Sequence, residues 1–241
     1  MSVLSPKTMA TLLHADALNV SRDPMLMLGV VMSLLPVPLL IAFGPLADAA
    51  ALDAFGFSGM ARMLGAMAVL MAGSMLGWVT GFLLLEDRDD AVLMALETTP
   101  VGRTGFLSYR LTVTALLTFI ISTGIGLVVL PTLPWVTTAL MAAIAAGHAV
   151  LTALFLLALA GNKVEGLALT KLINIALLAP LAVLIAPPWR YIAGLVPAFW
   201  IGEMTQVAPA PLSPLLAAAI ALATTALFVT LLVQRLHLRS D

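Results

Sequence analysis

Five stretches of this chain, residues 25–46, 63–85, 111–130, 135–160 and 212–233, contain no Asp, Glu, Lys or Arg. Each reaches the roughly 20 residues that a helix needs to cross the hydrocarbon core of a bilayer. A sixth, 166–187, carries one charge, Lys171 near its start, where a long side chain can snorkel to the interface. Helices satisfy all their backbone polar groups internally, as hydrocarbon requires. The expected fold is therefore an all-α polytopic membrane protein. Its six transmembrane helices cover about 25–46, 63–85, 107–130, 135–160, 166–187 and 212–234, after a cytoplasmic interfacial helix within 1–24. Charged residues make up 10% of the 241, against about 25% in soluble domains, and six spans leave no room for a soluble domain.

The bases orient the bundle. With the amino terminus cytoplasmic, the inner segments hold nine: Lys7, Arg22, Arg88, Arg103, Arg110, Lys163, Lys171, Arg235 and Arg239. The outer segments hold two, Arg62 and Arg190. This positive-inside bias, with an even number of spans, places both termini in the cytoplasm. A net charge of −1 gives no footprint for nucleic acid, and the lack of cysteine excludes disulfides, thiol catalysis and thiolate metal sites. Ala47-Asp48-Ala49 imitates a signal-peptidase site, but the apolar run before it is too long for a signal core, so the first span is retained.

Ser5-Pro6 predicts a helix start, with Ser as cap and Pro in the first turn. Met9, Leu12, Leu13, Ala17 and Val20 share one face, and Asp23-Pro24 ends the helix. Such a helix lies on the inner leaflet. Pro36 and Pro38 should kink the first span. In the second, Gly65, Gly73, Gly77 and Gly81 form one face that admits another helix closely, by default within the bundle and otherwise at a dimer seam. The outer loop 188–211 is apolar from 191 to 204, with Trp189, Tyr191, Phe199 and Trp200, but Arg190 and Glu203 bracket it and Pro197 breaks it. It is too short to cross, so it reads as interfacial or re-entrant, with a plain aromatic belt as the simpler alternative.

The inner loops carry the functional signal. Glu86-Asp87-Arg88-Asp89-Asp90 leads into residues 91–97, where Asp89 or Asp90 is placed to cap a short helix bearing Val92, Leu93, Met94 and Leu96. Thr99-Pro100 and Gly102 stop it. Exposed Leu and Met on a short cytoplasmic helix are suited to a partner's groove; the alternative is a solvated connector whose acids balance Arg88 and Arg103. The second inner loop is Gly161-Asn162-Lys163-Val164-Glu165-Gly166.

Taken in order, the helix ending Arg22-Asp23-Pro24, the loop from Glu86 through Leu93, Leu96 and Thr99-Pro100 to Tyr109-Arg110, Asn162 to Gly166 with Lys171, and Pro197-Ala198-Phe199-Trp200 resemble the type-2 permease family of ATP-binding-cassette (ABC) exporters, of the small drug-export kind. The resemblance covers nearly the whole chain and rests on order and spacing, not on one motif. It implies a membrane transport subunit that moves a hydrophobic or amphiphilic small molecule, drug or lipid-like, outward. It also implies a separate ATPase subunit holding ATP and Mg, and a second permease copy or a related permease completing the usual twelve spans. By the same resemblance Glu86, Asp89, Asp90, Leu93, Leu96, Thr99 and Pro100 form the first ATPase contact, Lys163 and Glu165 the second, and the segment before the last span a re-entrant helical pair. The implied location is the cell (inner) membrane.

Other classes fit less well. A rhomboid-like protease would have only Gly73-Ser74 and His148 to use, without the glycine that follows such a nucleophile. Asp87, Asp89 and Asp90 lack the frame of phosphatidyl-transfer enzymes, and His14, His148 and His237 lack ligand partners at helix spacing. A secondary transporter would place acids in mid-membrane, where the five charge-free spans have none; His148 could relay a proton but is expected to bond a neighbouring helix. A haem-maturation type of assembly permease is disfavoured only by the resemblance. Gly161-Asn162-Lys163-Val164 fails the phosphate-binding frame, so no nucleotide site is expected in this chain. Spans of Leu, Ala, Met and Gly with few aromatics suit an amphiphile better than a sugar.

Overall fold

Pro6 begins the first helix, α1 (Pro6–Arg22), in this computed structural model, which describes residues 6–99, 101–207 and 211–238. Ser5, the expected cap, lies outside the described residues. Asp23 separates α1 from α2 (Pro24–Leu34), and its carboxylate accepts from the backbone N–H groups of Met25 and Leu26 at 2.8 and 3.3 Å. The helix is interrupted at Leu35 and restarts as α3 (Pro36–Phe55). The interruption falls where the prolines were expected to act, because Pro36 has no N–H to give the preceding turn.

Among the described residues the longer helices that follow are α4 (Met60–Asp89), α6 (Gly102–Val129), α7 (Trp135–Leu159), α8 (Lys163–Ala176) and α10 (Pro214–Leu238), with the short helices α5 (Val92–Glu97) and α9 (Phe199–Met204) between them. Among the described residues, six segments are long and apolar enough to cross a membrane: Pro24–Phe55, Met60–Asp89, Gly102–Val129, Trp135–Leu159, Lys163–Leu184 and Pro214–Leu236. The second and fourth are 83% and 67% buried, against 17–28% for the others, so they form the axis about which the bundle is built.

Glycine explains that axis. An added Cβ at Gly73 would run into the carbonyl of Ala145, and one at Gly77 into that of Ala149. One turn on, a Cβ at Gly81 would lie 3.3 Å from the Cα of Ala153. A ridge of glycines at four-residue spacing therefore lies on a ridge of alanines at the same spacing, and the backbones of α4 and α7 touch. The glycine face is an internal seam and is not free for a second copy.

α2, α4, α6, α7, α8 and α10 all have one terminus at the same end of the bundle, together with α1, α5 and the 160–162 connection. Arg22, Arg88, Arg103, Arg110, Lys163 and Arg235 are there too, and we call it the basic end. α1 meets the bundle through Leu12 and Val20, whereas Met9 and Leu13 remain exposed, 38% and 41%, where a lipid surface would cover them. The apolar face expected of this helix is thus divided between protein and surroundings.

At the opposite end the fifth span breaks at Leu177 and continues as two 3₁₀ segments, Ala179–Leu184 and Trp189–Leu195, before α9. This segment folds back into the bundle: Phe199, Ile201 and Met204 are fully buried in the core with Met63, Leu70 and Ile144. Gly202 sits against the backbone of Pro180 with no room for a side chain. Arg190 and Glu203, thirteen residues apart, meet in a fully buried ion pair at 2.8 Å. Arg190 also donates to Tyr191 Oη at 3.0 Å, and Trp200 Nε1 donates to the carbonyl of Gly194 at 2.9 Å. The segment is a folded-back element of the kind expected, and more than an aromatic belt.

Candidate coupling site at the basic end

The short helix α5 forms where expected but is started differently. α4 runs on to Asp89, with Asp90 as its C-cap, so neither acid caps α5. The N-cap position is Ala91, in the left-handed region at φ 59°, with no side-chain hydrogen bond. α4 is the better continuation because its last turn still pairs the N–H of Asp90 with the carbonyl of Glu86 at 2.9 Å. The chain then reverses at Ala91, at a cost of about 1 kcal/mol for a residue with a Cβ. At the other end Thr99 closes the helix, its hydroxyl donating to the carbonyl of Leu96 at 2.7 Å. Pro100 and the side chain of Leu93 lie outside the described residues.

Of the apolar groups expected to be exposed on α5, Leu96 is not. Leu96 is half-buried against the bundle's own core, with Phe106 and Tyr109 in the same cluster. Met94, 67% exposed, and Val92, 38%, face outward. Asp89 and Asp90 are exposed beside them.

Glu86 and Lys163, from the two inner loops, form an ion pair at 3.1 Å. Glu165 acts within its own loop, where its carboxylate accepts from the N–H of Gly161 at 2.6 Å while Asn162 Oδ1 accepts from the N–H of Glu165 at 2.9 Å. Asn162 thereby caps α8, and Glu165 reaches back to the N–H just before the cap. Arg88 neither balances acids alone nor points outward. Its Nη1 donates to the carbonyls of Ala160 and Leu157 at 3.0 and 3.3 Å, which closes the end of α7 where the helix dipole is negative. Of the charged residues expected at the contact, Glu86 and Lys163 thus hold the two connections side by side.

Beneath them lies a charge cluster with no counterpart in the expected site. Arg110, 4% exposed, pairs with Asp16 of α1 at 2.6 Å and with Asp87 of α4 in a very short contact. Tyr109 Oη donates to Asp16 at 3.3 Å, and the Arg110 guanidinium lies 4.7 Å from the centre of the Phe106 ring. One arginine joins α1, α4 and α6 immediately below α5. Asp16 could have been singled out from its place four residues after Leu12 and four before Val20, on the stripe that meets the protein. A polar cleft of about 510 Å³ opens between the end of α1 and the end of α4, bordered by Arg22, Asp23, Glu86 and Asp90.

The structure also brings Ser74 and His148 together: Ser74 Oγ and His148 Nε2 share a hydrogen bond at 2.8 Å. Ser74 is fully buried on the glycine seam, and among the described residues no carboxylate pairs with the imidazole. The pair bonds one helix to its neighbour, as expected for a lone histidine in a span. No group of three or more metal-ligating side chains occurs among the described residues.

Among the described residues, six apolar spans, two of them forming a glycine-packed axis, with two connections gathered at one basic end, define a multi-pass membrane protein. A family model described as "Fluoroquinolones export permease protein Rv2686c-like" matches residues 16–233, and the chain belongs to that family. The fluoroquinolones export permease protein Rv2686c of Mycobacterium tuberculosis (strain ATCC 25618 / H37Rv) is 28% identical over 216 residues, covering 86% of this chain and 85% of the relative. The protein MT2760 of the same name from strain CDC 1551 / Oshkosh matches with the same identity and coverage. No solved structure matches the chain significantly.

Proposed function

We propose that this chain is the membrane subunit of an ATP-driven exporter for a fluoroquinolone-like amphiphile, with its basic end in the cytoplasm of a cell inner membrane. A separate ATPase carrying ATP and Mg docks on that end. The observation that carries the reading is the joined pair of connections. α5 presents Met94 and Val92 outward, Glu86–Lys163 ties the end of α4, from which α5 continues, to the second connection, and the Arg110 cluster beneath joins α1, α4 and α6. A push on α5 is thereby delivered to α1, α4 and α6 together, and this is what a subunit driven from outside needs. The family name supplies the cargo class and the direction.

The working unit is a pair of permeases, two copies or one copy with a related chain. The glycine face being occupied, the seam falls on the weakly buried first and fifth spans. Met94→Asp places a charge in the proposed contact, where burial without a partner is costly. The variant should fold, and an ATPase subunit that co-purifies with the wild type should be lost or reduced about tenfold or more. Undiminished recovery of the ATPase would remove α5 from the contact.

A further inference from the structure

A cavity of about 580 Å³ lies between α7, α8, α10 and the turn 195–197 of the folded-back segment. α7 contributes His148, Thr152 and Phe155, at spacings of four and three that form one stripe of a helix. From His148 to Leu159, the last α7 residue on the wall, is eleven residues, or ~16 Å of helix, so the cavity occupies the half of the bundle nearer the basic end. Leu195 and Pro197 belong to the segment that folds in from the opposite end, and they close the cavity there.

Two polar groups mark its extremes. His148 is 5% exposed and its ring is fixed by Ser74 through Nε2; no described residue bonds the other ring nitrogen. Arg235 lines the opposite extreme, exposed, and no described carboxylate pairs with it. Between them the wall is apolar apart from Thr152, with Phe155 on α7 and Phe228 on α10. The volume falls within the roughly 300–1,000 Å³ of small-molecule sites, and the combination of apolar walls with a few placed polar groups is what such sites use. A guanidinium at the wet end binds a carboxylate through a planar fork. Two phenylalanines suit a flat ring system, and a fixed imidazole offers one hydrogen bond to a heteroatom at the far end.

We propose that this cavity binds the exported molecule, as a flat aromatic carboxylate with its acid at Arg235 and its rings between Phe155 and Phe228. The proposal rests on the exporter reading above and adds the site and the charge of its ligand. A phospholipid acyl chain fits the apolar wall but offers nothing to the second ring nitrogen of His148.

The absence of cysteine from the chain makes a direct test available. Leu151, half-buried on the cavity wall, is replaced in Leu151→Cys, and the permease in nanodiscs is treated with N-ethylmaleimide with and without a fluoroquinolone and its methyl ester. The acid should protect the thiol saturably, and the ester should need about tenfold more for the same protection, as should the acid after Arg235→Gln. A control thiol in Leu127→Cys, on the exposed face of α6, should react at the same rate throughout. Absence of protection in a preparation whose vesicles still export the drug with ATP overturns the site and leaves the exporter reading standing. Protection without any ATP-driven export supports the site and sinks that reading. Equal protection by acid and ester, unchanged by Arg235→Gln, overturns the carboxylate assignment. A thiol shielded without drug and released by delipidation makes the occupant a lipid and overturns the proposal.

Discussion

Asp16→Asn removes one charge from the cluster that fastens α1 to the bundle, while Arg110 keeps its second partner, Asp87. The carboxylate of Asp16 receives one strong charge-assisted bond from Arg110 at 2.6 Å and two long contacts, from Tyr109 at 3.3 Å and Arg110 Nε at 3.5 Å. A hydrogen bond to a charged group contributes about 1.5–3 kcal/mol, and the long contacts add little. The side chain of Asp16 is 20% exposed, so solvent screening lowers the figure only modestly. We therefore expect α1 to lose about 2 kcal/mol of docking, a shift of about thirtyfold in the ratio of docked to undocked helix. Leu12, half-buried under α1, reports the shift: in the cysteine-free chain, Leu12→Cys should react with a maleimide about thirtyfold faster after Asp16→Asn, up to the limit set by a free thiol. Arg110→Ala should do more, because it leaves two carboxylates without their cation, at a cost of about 3–5 kcal/mol. Equal reactivity of Leu12→Cys in both backgrounds, with Arg110→Ala accumulating normally, would refute the cluster as the fastening.

Other consequences are equally direct. Gly77→Leu should abolish accumulation of the folded protein, costing about 3 kcal/mol or more because the backbone of Ala149 blocks the new side chain; Gly124→Leu, at a site with open space around it, should be tolerated by the same detergent-stability assay. Glu203→Gln should destabilise by about 3–5 kcal/mol by leaving the Arg190 charge buried opposite a neutral amide, read as a lowered midpoint of thermal aggregation; a normal midpoint would show the charge compensated elsewhere. Lys163→Glu should weaken ATPase stimulation by drug, and Glu86→Lys in the same chain should restore it if the two connections act as one unit.

The bundle was legible because hydrocarbon leaves few choices. Charge-free runs of sufficient length had to be spans, and the prolines and glycines did what backbone chemistry requires of them at Leu35 and along Gly73, Gly77 and Gly81. The order of the inner loops was legible by resemblance. What spacing does not encode is partnership across the fold. Arg190 and Glu203 looked like two outer charges, and only the fold of the segment between them brings them together inside the core. Asp16, Asp87 and Arg110 sit on three helices distant in sequence. The start of α5 was misplaced because an acid before an apolar run resembles a cap, whereas here the longer helix α4 claims both acids and the chain reverses through a strained alanine. Of the apolar groups read on α5, Val92 and Met94 are exposed as expected, whereas Leu96 turns to the bundle's own core.

The central claim is that transport through this chain is powered by an ATPase seated on its basic end. Inverted membrane vesicles containing the permease and its co-purifying ATPase, loaded from outside with a fluoroquinolone, measure this in one experiment. Accumulation should require ATP and Mg, persist when a protonophore collapses the proton gradient, and fall away in Met94→Asp. Accumulation that proceeds without ATP and disappears with the protonophore would make the chain a gradient-driven transporter and contradict the account.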